Sequence, residues 1–381
     1  MMFRLAVLLT ATAVVFAQDD SEAACAKFNA CHDKHGAKRK NCACGKRLIL
    51  EEDSLCLNCA KDKEVCRHCG LPKPGAPPKN PLEAAGRAAK AANIREHLTY
   101  LASDELEGRL AGYPGGIKAS QYIADKLKAW GLKPGNGESY FQPFQIKGRD
   151  TRNVLGLIEG SGPLKDEFLI VGGHYDHVGM SGQGDPGRSN SKSDDPDDKI
   201  WNGADDNGSG TSTLLEIARS MATSKVKPGR TLVFIWFSGE EWGLLGSKHY
   251  LDNPIFDLKK TFAMVCMDMV GRNSDKPVTV KGCASADAWK EMVEEAAKGT
   301  GLNFTIEPRA TGSTDYLNFI RRQIPAIDFF AGFHADYHMR SDTPDKIDYD
   351  QCAKVARTTI KLAAHLTVRE EKLAFKDPPR K

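Results

Sequence analysis

The sequence of 381 residues lacks three features, each of which would have indicated a particular class of protein. It has no strong excess of one charge, because 53 lysine and arginine residues face 50 aspartate and glutamate residues, for a formal net charge of +3. That balance gives no reason to expect nucleic acid or an anionic membrane surface as a partner. No stretch reaches about 18 uninterrupted apolar residues, the length that suggests a membrane-spanning helix. No internal repeat is visible. With 41% hydrophobic residues, the chain suits one large globular domain and something smaller.

The first residues have the pattern of an export signal. Arg4 supplies a positive charge, residues 5–16 form an apolar run, and small residues stand at Val15 and Ala17, where a signal peptidase would read them. We predict that residues 1–17 are a signal peptide, that the mature chain begins near Gln18, and that it is secreted, either extracellular or periplasmic. The alternative is an N-terminal anchor that is retained.

Cysteine is concentrated in one short region. Eight of the 11 cysteines lie between residues 25 and 69, and the other three are dispersed like small core residues. An even number of cysteines in an exported chain favours four disulfides. The spacing Cys-x-x-Cys, which occurs twice, is also typical of a structural zinc site, and both interpretations stay open. The zinc ligands would be Cys56, Cys59, Cys66 and Cys69.

Composition divides the rest of the chain into further segments. Residues 18–69 form the cysteine-rich module, to which we assign no partner, and residues 70–81 form a linker with five prolines. Residues 82–367 alternate helical and buried-strand patterns. This alternation predicts a main domain with an α/β fold, a three-layer α/β/α sandwich around a mixed, mainly parallel sheet. Residues 368–381 form a charged tail that we expect to fray.

Five residues that could bind two zinc ions lie in separate short motifs of this main domain. Two histidines and three carboxylates form a mixed nitrogen and oxygen ligand set, which favours a catalytic over a structural zinc site. A carboxylate between the ions would complete a two-metal site. Three of the motifs follow predicted buried strands, and ligands gather at the carboxyl ends of strands in α/β sheets. The five residues are His174, Asp206, Glu241, Asp268 and His338.

Spacing alone leaves some of these assignments open. It does not separate Asp206 from Asp205, because both lie in one glycine-rich turn before a predicted helix. His174 and Asp176 are two residues apart, so they share a face of an extended segment and Asp176 could orient the imidazole. The same alternation puts His177 on the opposite face, where we expect a structural role. Each motif taken singly also has a structural explanation, such as a helix cap.

The motifs together resemble a known family. The segments Gly-Gly-His174-Tyr-Asp176-His, Gly-Ala-Asp-Asp206-Asn-Gly-Ser-Gly, Ser-Gly-Glu240-Glu241, Met-Asp268-Met-Val-Gly-Arg and Tyr337-His338-x-x-x-Asp342-Thr are similar to those of the zinc-dependent aminopeptidases of peptidase clan MH. These are secreted bacterial leucyl aminopeptidase and aminopeptidase-Y-like enzymes. The stretch from Leu101 through Arg109 to Gly116 resembles the lead-in of many members. The resemblance covers roughly residues 92–367.

The resemblance implies a role for each matching residue. It assigns His174 and Asp268 to one zinc and Glu241 and His338 to the other, with Asp206 as the bridging carboxylate. It makes Glu240 the general base and Asp176 the carboxylate that orients the histidine. Two further roles are matched less closely by the motifs. Tyr337 would stabilise the oxyanion, and Asp315 would meet the free ammonium group of the peptide.

The sequence therefore predicts a secreted di-zinc exopeptidase that removes N-terminal residues from peptides or proteins. The alternatives are a carboxypeptidase or a mono-zinc glutaminyl cyclase on the same scaffold, or an inactive peptidase-like binding protein. One departure from the family is the polar insertion at residues 181–199, beside the predicted site. We interpret it as a solvated loop, with a lid or a calcium-binding loop as alternatives.

Overall fold

The computed structural model describes residues 81–184, 197–224 and 227–379. The predicted signal peptide, the cysteine-rich module with its candidate zinc ligands, and nearly all of the linker lie outside these residues. So does most of the polar insertion. Within the described ranges, none of the helices combines the length and the apolar character needed to cross a bilayer.

Eight α-helices and nine strands form the described structure. The helices are α1 (Pro81–Ala88), α2 (Ala91–Leu101), α3 (Pro114–Ala129), α4 (Gly210–Thr223), α5 (Leu245–Asp252), α6 (Trp289–Ala297), α7 (Tyr316–Arg321) and α8 (Tyr349–Val368). The strands are β1 (Lys133–Pro134), β2 (Phe141–Ile146), β3 (Arg149–Ile158), β4 (Phe168–His174), β5 (Thr231–Phe237), β6 (Thr261–Asp268), β7 (Val278–Lys281), β8 (Phe304–Glu307) and β9 (Ala326–Phe330).

All nine strands belong to one sheet, in the order β1-β3-β5-β4-β6-β9-β7-β8, with β2 paired to β3. The centre, from β5 through β4 and β6 to β9, is parallel. Toward the edges the pairings become mostly antiparallel, so that the described sheet has four parallel and four antiparallel pairings. The fold is the predicted α/β class, but the expectation of a mainly parallel sheet is wrong. The extra antiparallel pairings come from short or half-exposed strands near the edges.

Alternating side chains of β5 explain why helices cover both faces of the sheet. Leu232, Phe234 and Trp236 belong to the larger buried cluster, with helices α1–α4, α6 and α8. Val233 and Phe237 point to the other side and pack with α5 and α7. A strand that is apolar on both faces must be buried on both, so the sheet lies between two layers of helices.

Two sequence expectations fail locally. The sequence pattern of residues 242–251 predicts a helix that begins at Trp242. Helix α5 begins instead at Leu245, because Gly243 and Leu244 adopt positive φ angles of 99° and 62° and cannot continue a helix. The second is that the tail was expected to fray, whereas contacts hold it in place as far as residue 379. Leu373 is buried, the Lys376 N–H donates to the Ser285 carbonyl, and the Ala310 N–H donates to the Pro379 carbonyl.

Candidate metal centre

The parallel centre of the sheet brings three of the sequence motifs together. His174 is the last residue of β4 and Asp268 the last of β6, and these strands are neighbours. Glu240 and Glu241 follow β5, on the other side of β4. Parallel strands end at the same edge, so the four side chains share one rim. Each is less than a tenth exposed.

The turn before α4 supplies the carboxylate that joins the cluster, and it is Asp206. One oxygen of Asp206 (Oδ1) lies 3.5 Å from His174 Nε2, and the other (Oδ2) lies 2.8 Å from His338 Nε2. Asp205 points away, accepting a hydrogen bond from the Gly271 N–H at 2.8 Å. The choice that spacing left open is therefore made by the fold.

Asp342 holds this turn from behind. Its Oδ2 accepts hydrogen bonds from the N–H groups of Asp205 and Asp206 at 2.9 and 3.2 Å. Gly203 begins the turn with a φ of +56°, and a Cβ there would lie 2.4 Å from the ring of His177. Only glycine combines this backbone with so close an approach.

Two groups of candidate ligands result, with Asp206 in both. In the first, His174 Nε2 lies 3.3 Å from Asp268 Oδ1. In the second, His338 Nε2 lies 3.3 Å from Glu241 Oε1. The ligand atoms within each group lie within 4.8 Å of one another. The two oxygens of Asp206 thus face one group each, which is the arrangement a bridging carboxylate requires.

His177 also belongs to the second group, which the sequence analysis did not expect. Its Nδ1 lies 3.2 Å from Glu241 Oε1 and 3.7 Å from Asp206 Oδ2. The expectation failed because it assumed strand alternation through residue 177, whereas β4 ends at His174. The signal that could have found it is a third histidine only three residues beyond a predicted ligand.

Asp176 has a different partner from the one expected. His174 Nδ1 lies 3.1 Å from the backbone carbonyl of Asp176 and 3.8 Å from its carboxylate. The carbonyl is therefore the nearer group that can fix the imidazole tautomer. The carboxylate accepts a hydrogen bond from the Glu240 N–H at 3.1 Å, and so it positions the loop that carries both glutamates.

Burial and crowded carboxylates shift the pKa values of the cluster. Burial raises the pKa of Glu240 well above its usual value, and the nearby carboxylates of Glu241, Asp268 and Asp315 raise it further. Burial also raises the pKa of Asp176 to about 7. Glu241 behaves oppositely, because hydrogen bonds with His177 and His338 outweigh its burial and lower its pKa well below the usual value.

This concentration of buried acids fits bound cations. Five buried carboxylates converge with three buried imidazoles, a mixed nitrogen and oxygen donor set that suits zinc. Burying that much negative charge is costly unless it is compensated. The residues are Asp176, Asp206, Glu240, Glu241, Asp268, His174, His177 and His338.

One buried guanidinium lies beneath the cluster. Arg109 is fully buried and donates hydrogen bonds of 2.6–2.9 Å to the carbonyls of Leu101, Tyr175, Asn202 and Gly203. Burial lowers its pKa to about 10, although carboxylates of the cluster oppose that shift, so the group stays charged at neutral pH. It ties the lead-in segment to the chain that follows β4 and to the turn that carries Asp206.

The two less closely matched residues lie near the same rim. Tyr337 is half-buried and stacks on the His338 ring, with 4.0 Å between ring centroids. Asp315 is fully buried and immediately precedes α7. Burial raises the pKa of Asp315 to about 6, against the opposing effect of His174. Both residues are therefore within the electrostatic reach of the cluster.

Fold and cluster together define an α/β protein with a candidate two-metal centre. The model of peptidase family M28 matches residues 153–363, more than half of the chain. The chain belongs to peptidase family M28.

Curated relatives are similar over most of the main domain. Leupeptin-inactivating enzyme 1 of Streptomyces exfoliatus is 28% identical over 65% of this chain and 50% of its own length. Aminopeptidase YwaD of Bacillus subtilis is 26% identical over 77% of this chain and 60% of its own length. A probable leucine aminopeptidase of Arthroderma otae is 32% identical over 66% of this chain and 63% of its own length. The chain thus spans less than two thirds of each relative.

Solved structures are similar in fold. LapA aminopeptidase of Legionella pneumophila superposes with a TM-score of 0.59 at 21% identity, over 76% of this chain and 75% of that one. A glutaminyl cyclase of Bacteroides thetaiotaomicron superposes with a TM-score of 0.60 at 23% identity, over 74% of this chain and 99% of that one. One of these proteins is an aminopeptidase and the other a glutaminyl cyclase, so this likeness concerns the scaffold.

Proposed function

We propose that the protein is a di-zinc aminopeptidase, a metallo-exopeptidase that hydrolyses N-terminal residues from peptides. The observation that carries the proposal is Asp206, whose two oxygens face two groups of nitrogen and oxygen ligands. A lone structural metal would not need a carboxylate shared in this way. The aminopeptidase relatives, and membership of a peptidase family, support the reaction class.

One zinc would be held by His174, Asp206 and Asp268, and the other by Asp206, Glu241 and His338. Two zinc ions in these positions would polarise the scissile carbonyl and lower the pKa of a water molecule toward about 7. We assign no role in the chemistry to the candidate structural zinc of the cysteine-rich module.

The surrounding residues would perform the proton and charge chemistry. Glu240 takes the proton of the attacking water and returns it to the leaving amine. Asp176 holds Glu240 in place through its backbone N–H, while its own carbonyl faces the His174 ring. Tyr337 donates a hydrogen bond to the oxyanion of the tetrahedral intermediate. Asp315 pairs with the ammonium group of the peptide.

The proposal includes a location and a domain plan. Cleavage of residues 1–17 would release a secreted enzyme whose cysteine-rich module and proline-rich linker precede a three-layer catalytic domain. The predicted signal pattern and the cysteine spacing support this part of the proposal.

A glutaminyl cyclase activity is the second candidate, favoured by the similarity in fold to the cyclase from Bacteroides thetaiotaomicron. It would need one catalytic zinc. A content of two non-thiolate zinc ions per chain, together with release of free amino acids, favours the aminopeptidase. One such zinc and cyclisation of N-terminal glutamine favours the cyclase.

The decisive test replaces the proposed base. Glu240→Ala and the isosteric Glu240→Gln should leave the zinc content nearly unchanged, while hydrolysis of aminoacyl-p-nitroanilides falls by roughly 10²–10⁴-fold. Glu295→Gln, at an exposed position of α6, is the control and should keep full activity. Full activity in either Glu240 variant would contradict the assignment.

A further inference from the structure

The second ligand group contains one more donor than the family motifs supply. His177 Nδ1, Asp206 Oδ2, Glu241 Oε1 and His338 Nε2 converge on one point, and all four residues are buried. The motifs account for three of them, since His177 is only the last residue of the segment that carries His174. The first group, around His174, has three donors.

The separations between the two histidines and the two carboxylates of the second group are near those of a tetrahedral shell. Zinc bonds to nitrogen and oxygen are roughly 2.0–2.1 Å, so neighbouring ligand atoms of a regular tetrahedron lie roughly 3.3–3.4 Å apart. The two separations from His338 Nε2 are 2.8 and 3.3 Å, and the two from His177 Nδ1 are 3.2 and 3.7 Å. Measured from the two carboxylates, His177 therefore lies as close to that geometry as His338 does.

The surroundings of His177 give independent support. The residue has no exposed surface, and its Nε2 has no hydrogen-bond partner among the described residues. Leaving a buried polar atom unpaired is unfavourable, yet the fold keeps this placement, in which Nδ1 faces the carboxylates of Glu241 and Asp206. Residue 203 is also a glycine, and a Cβ there would collide with the His177 ring.

We propose that His177 is a fourth protein ligand of the second metal, which makes the two sites unequal. Four protein ligands and no open position are typical of a tightly held zinc, whereas three protein ligands leave a position free for water or substrate. The second site would then be the retained, closed one. The first site, at His174, would be the open and more readily exchanged one. This inference rests on the proposed two-metal function.

The test counts imidazole ligands directly. Full-length apoprotein receives zinc in single equivalents, and X-ray absorption is recorded after each addition. Zinc on cysteine thiolates is recognised by its longer bonds, about 2.3 Å to sulfur. The first equivalent without sulfur scattering should show two imidazoles in the wild type and one in His177→Ala. In chelator competition, that zinc should bind more than about 100-fold more weakly in the variant, since loss of even an outer partner costs roughly 10–100-fold.

His97→Asn serves as the matched control, because His97 is another buried histidine outside both groups, and its Nδ1 lies 2.8 Å from the Tyr122 hydroxyl. It should keep two imidazoles and the wild-type affinity. His177→Gln provides a second variant if the alanine protein does not fold. An equal imidazole count in wild type and His177 variant overturns the proposal, whatever the affinity. None of these measurements uses a peptide, so failure of the proposed peptidase activity would be seen separately.

Discussion

The two ligand groups differ in the structures that carry them. The first takes His174 and Asp268 from the last positions of two adjacent central strands. The second takes its residues from irregular chain, since Glu241 follows β5, His177 lies beyond β4, and His338 sits in a turn with a φ of 54°. A histidine with positive φ is uncommon and strained. Two of the three donors of the first group are thus fixed by the sheet itself, whereas the donors of the second group, and the shared Asp206, lie in turns that surrounding contacts must hold.

The two groups are therefore held rigid in different ways. Strand ends are fixed by the hydrogen bonds of the whole sheet, so His174 and Asp268 are positioned by the sheet, whereas the shared Asp206 is positioned by the turn before α4. The second group depends on local supports, such as the hydrogen bond from the Glu240 N–H to Asp176. We therefore expect substitutions several residues away from the ligands to lower the metal affinity of the second group more than that of the first.

The largest effect is expected from a substitution of Asp206, the residue that the two groups share. Asp206→Asn should weaken both sites, so that more than one zinc per chain is lost and activity falls by more than about 10³-fold. Metal analysis after dialysis measures the first effect, and p-nitroanilide hydrolysis the second. Asp205→Asn is the adjacent control. Its amide oxygen can still accept the hydrogen bond from the Gly271 N–H, and the variant should keep both zinc ions. Loss of only one zinc in Asp206→Asn would contradict the bridge.

A smaller effect is expected beside the second group. Tyr337→Phe removes the hydroxyl proposed for the oxyanion but keeps the ring that stacks on His338. We expect kcat to fall roughly 10²-fold with unchanged zinc content. Tyr100→Phe, at a hydroxyl 3.5 Å from Glu105, is the control and should have wild-type kinetics. An unchanged kcat in the Tyr337 variant would rule out the proposed role.

The smallest effect concerns a buried histidine outside both groups. Burial lowers the pKa of His97 from 6.5 to about 4. Below pH 6.5 the unfolded chain therefore binds a proton that the folded protein does not, and the free energy of unfolding falls as the pH falls from about 6.5 to 4. Between pH 7 and pH 5 this contribution is about 2 kcal/mol.

Urea unfolding of the wild type and of His97→Asn at both pH values measures that contribution. The wild type should lose about 2 kcal/mol more than the variant between pH 7 and pH 5. Equal losses would show that His97 is not buried in its neutral form. The result would also provide a reference for histidines held without a metal nearby.

The same contrast explains what could be predicted from the sequence. His174 and Asp268 of the first group were predictable because each lies at the end of an apolar run, and such runs form buried parallel strands. The choice between Asp205 and Asp206 needed the family resemblance, since a turn gives both residues the same local pattern. His177 was missed because alternation holds only inside a strand. Strands β2, β7 and β8 could not be predicted from the sequence because they are short or half-exposed and lack a strong apolar signature.

Arg109 has a practical consequence for anyone who shortens this protein. A fragment cut to residues 153–363 would keep all the candidate metal ligands of both groups, which lie between His174 and His338. It would nevertheless lack the guanidinium that joins the carbonyls of Tyr175, Asn202 and Gly203. Three carbonyl dipoles aimed at a missing cation would then lie unpaired beneath the acidic cluster. The smallest piece worth expressing therefore starts well upstream, with the helices that precede the lead-in.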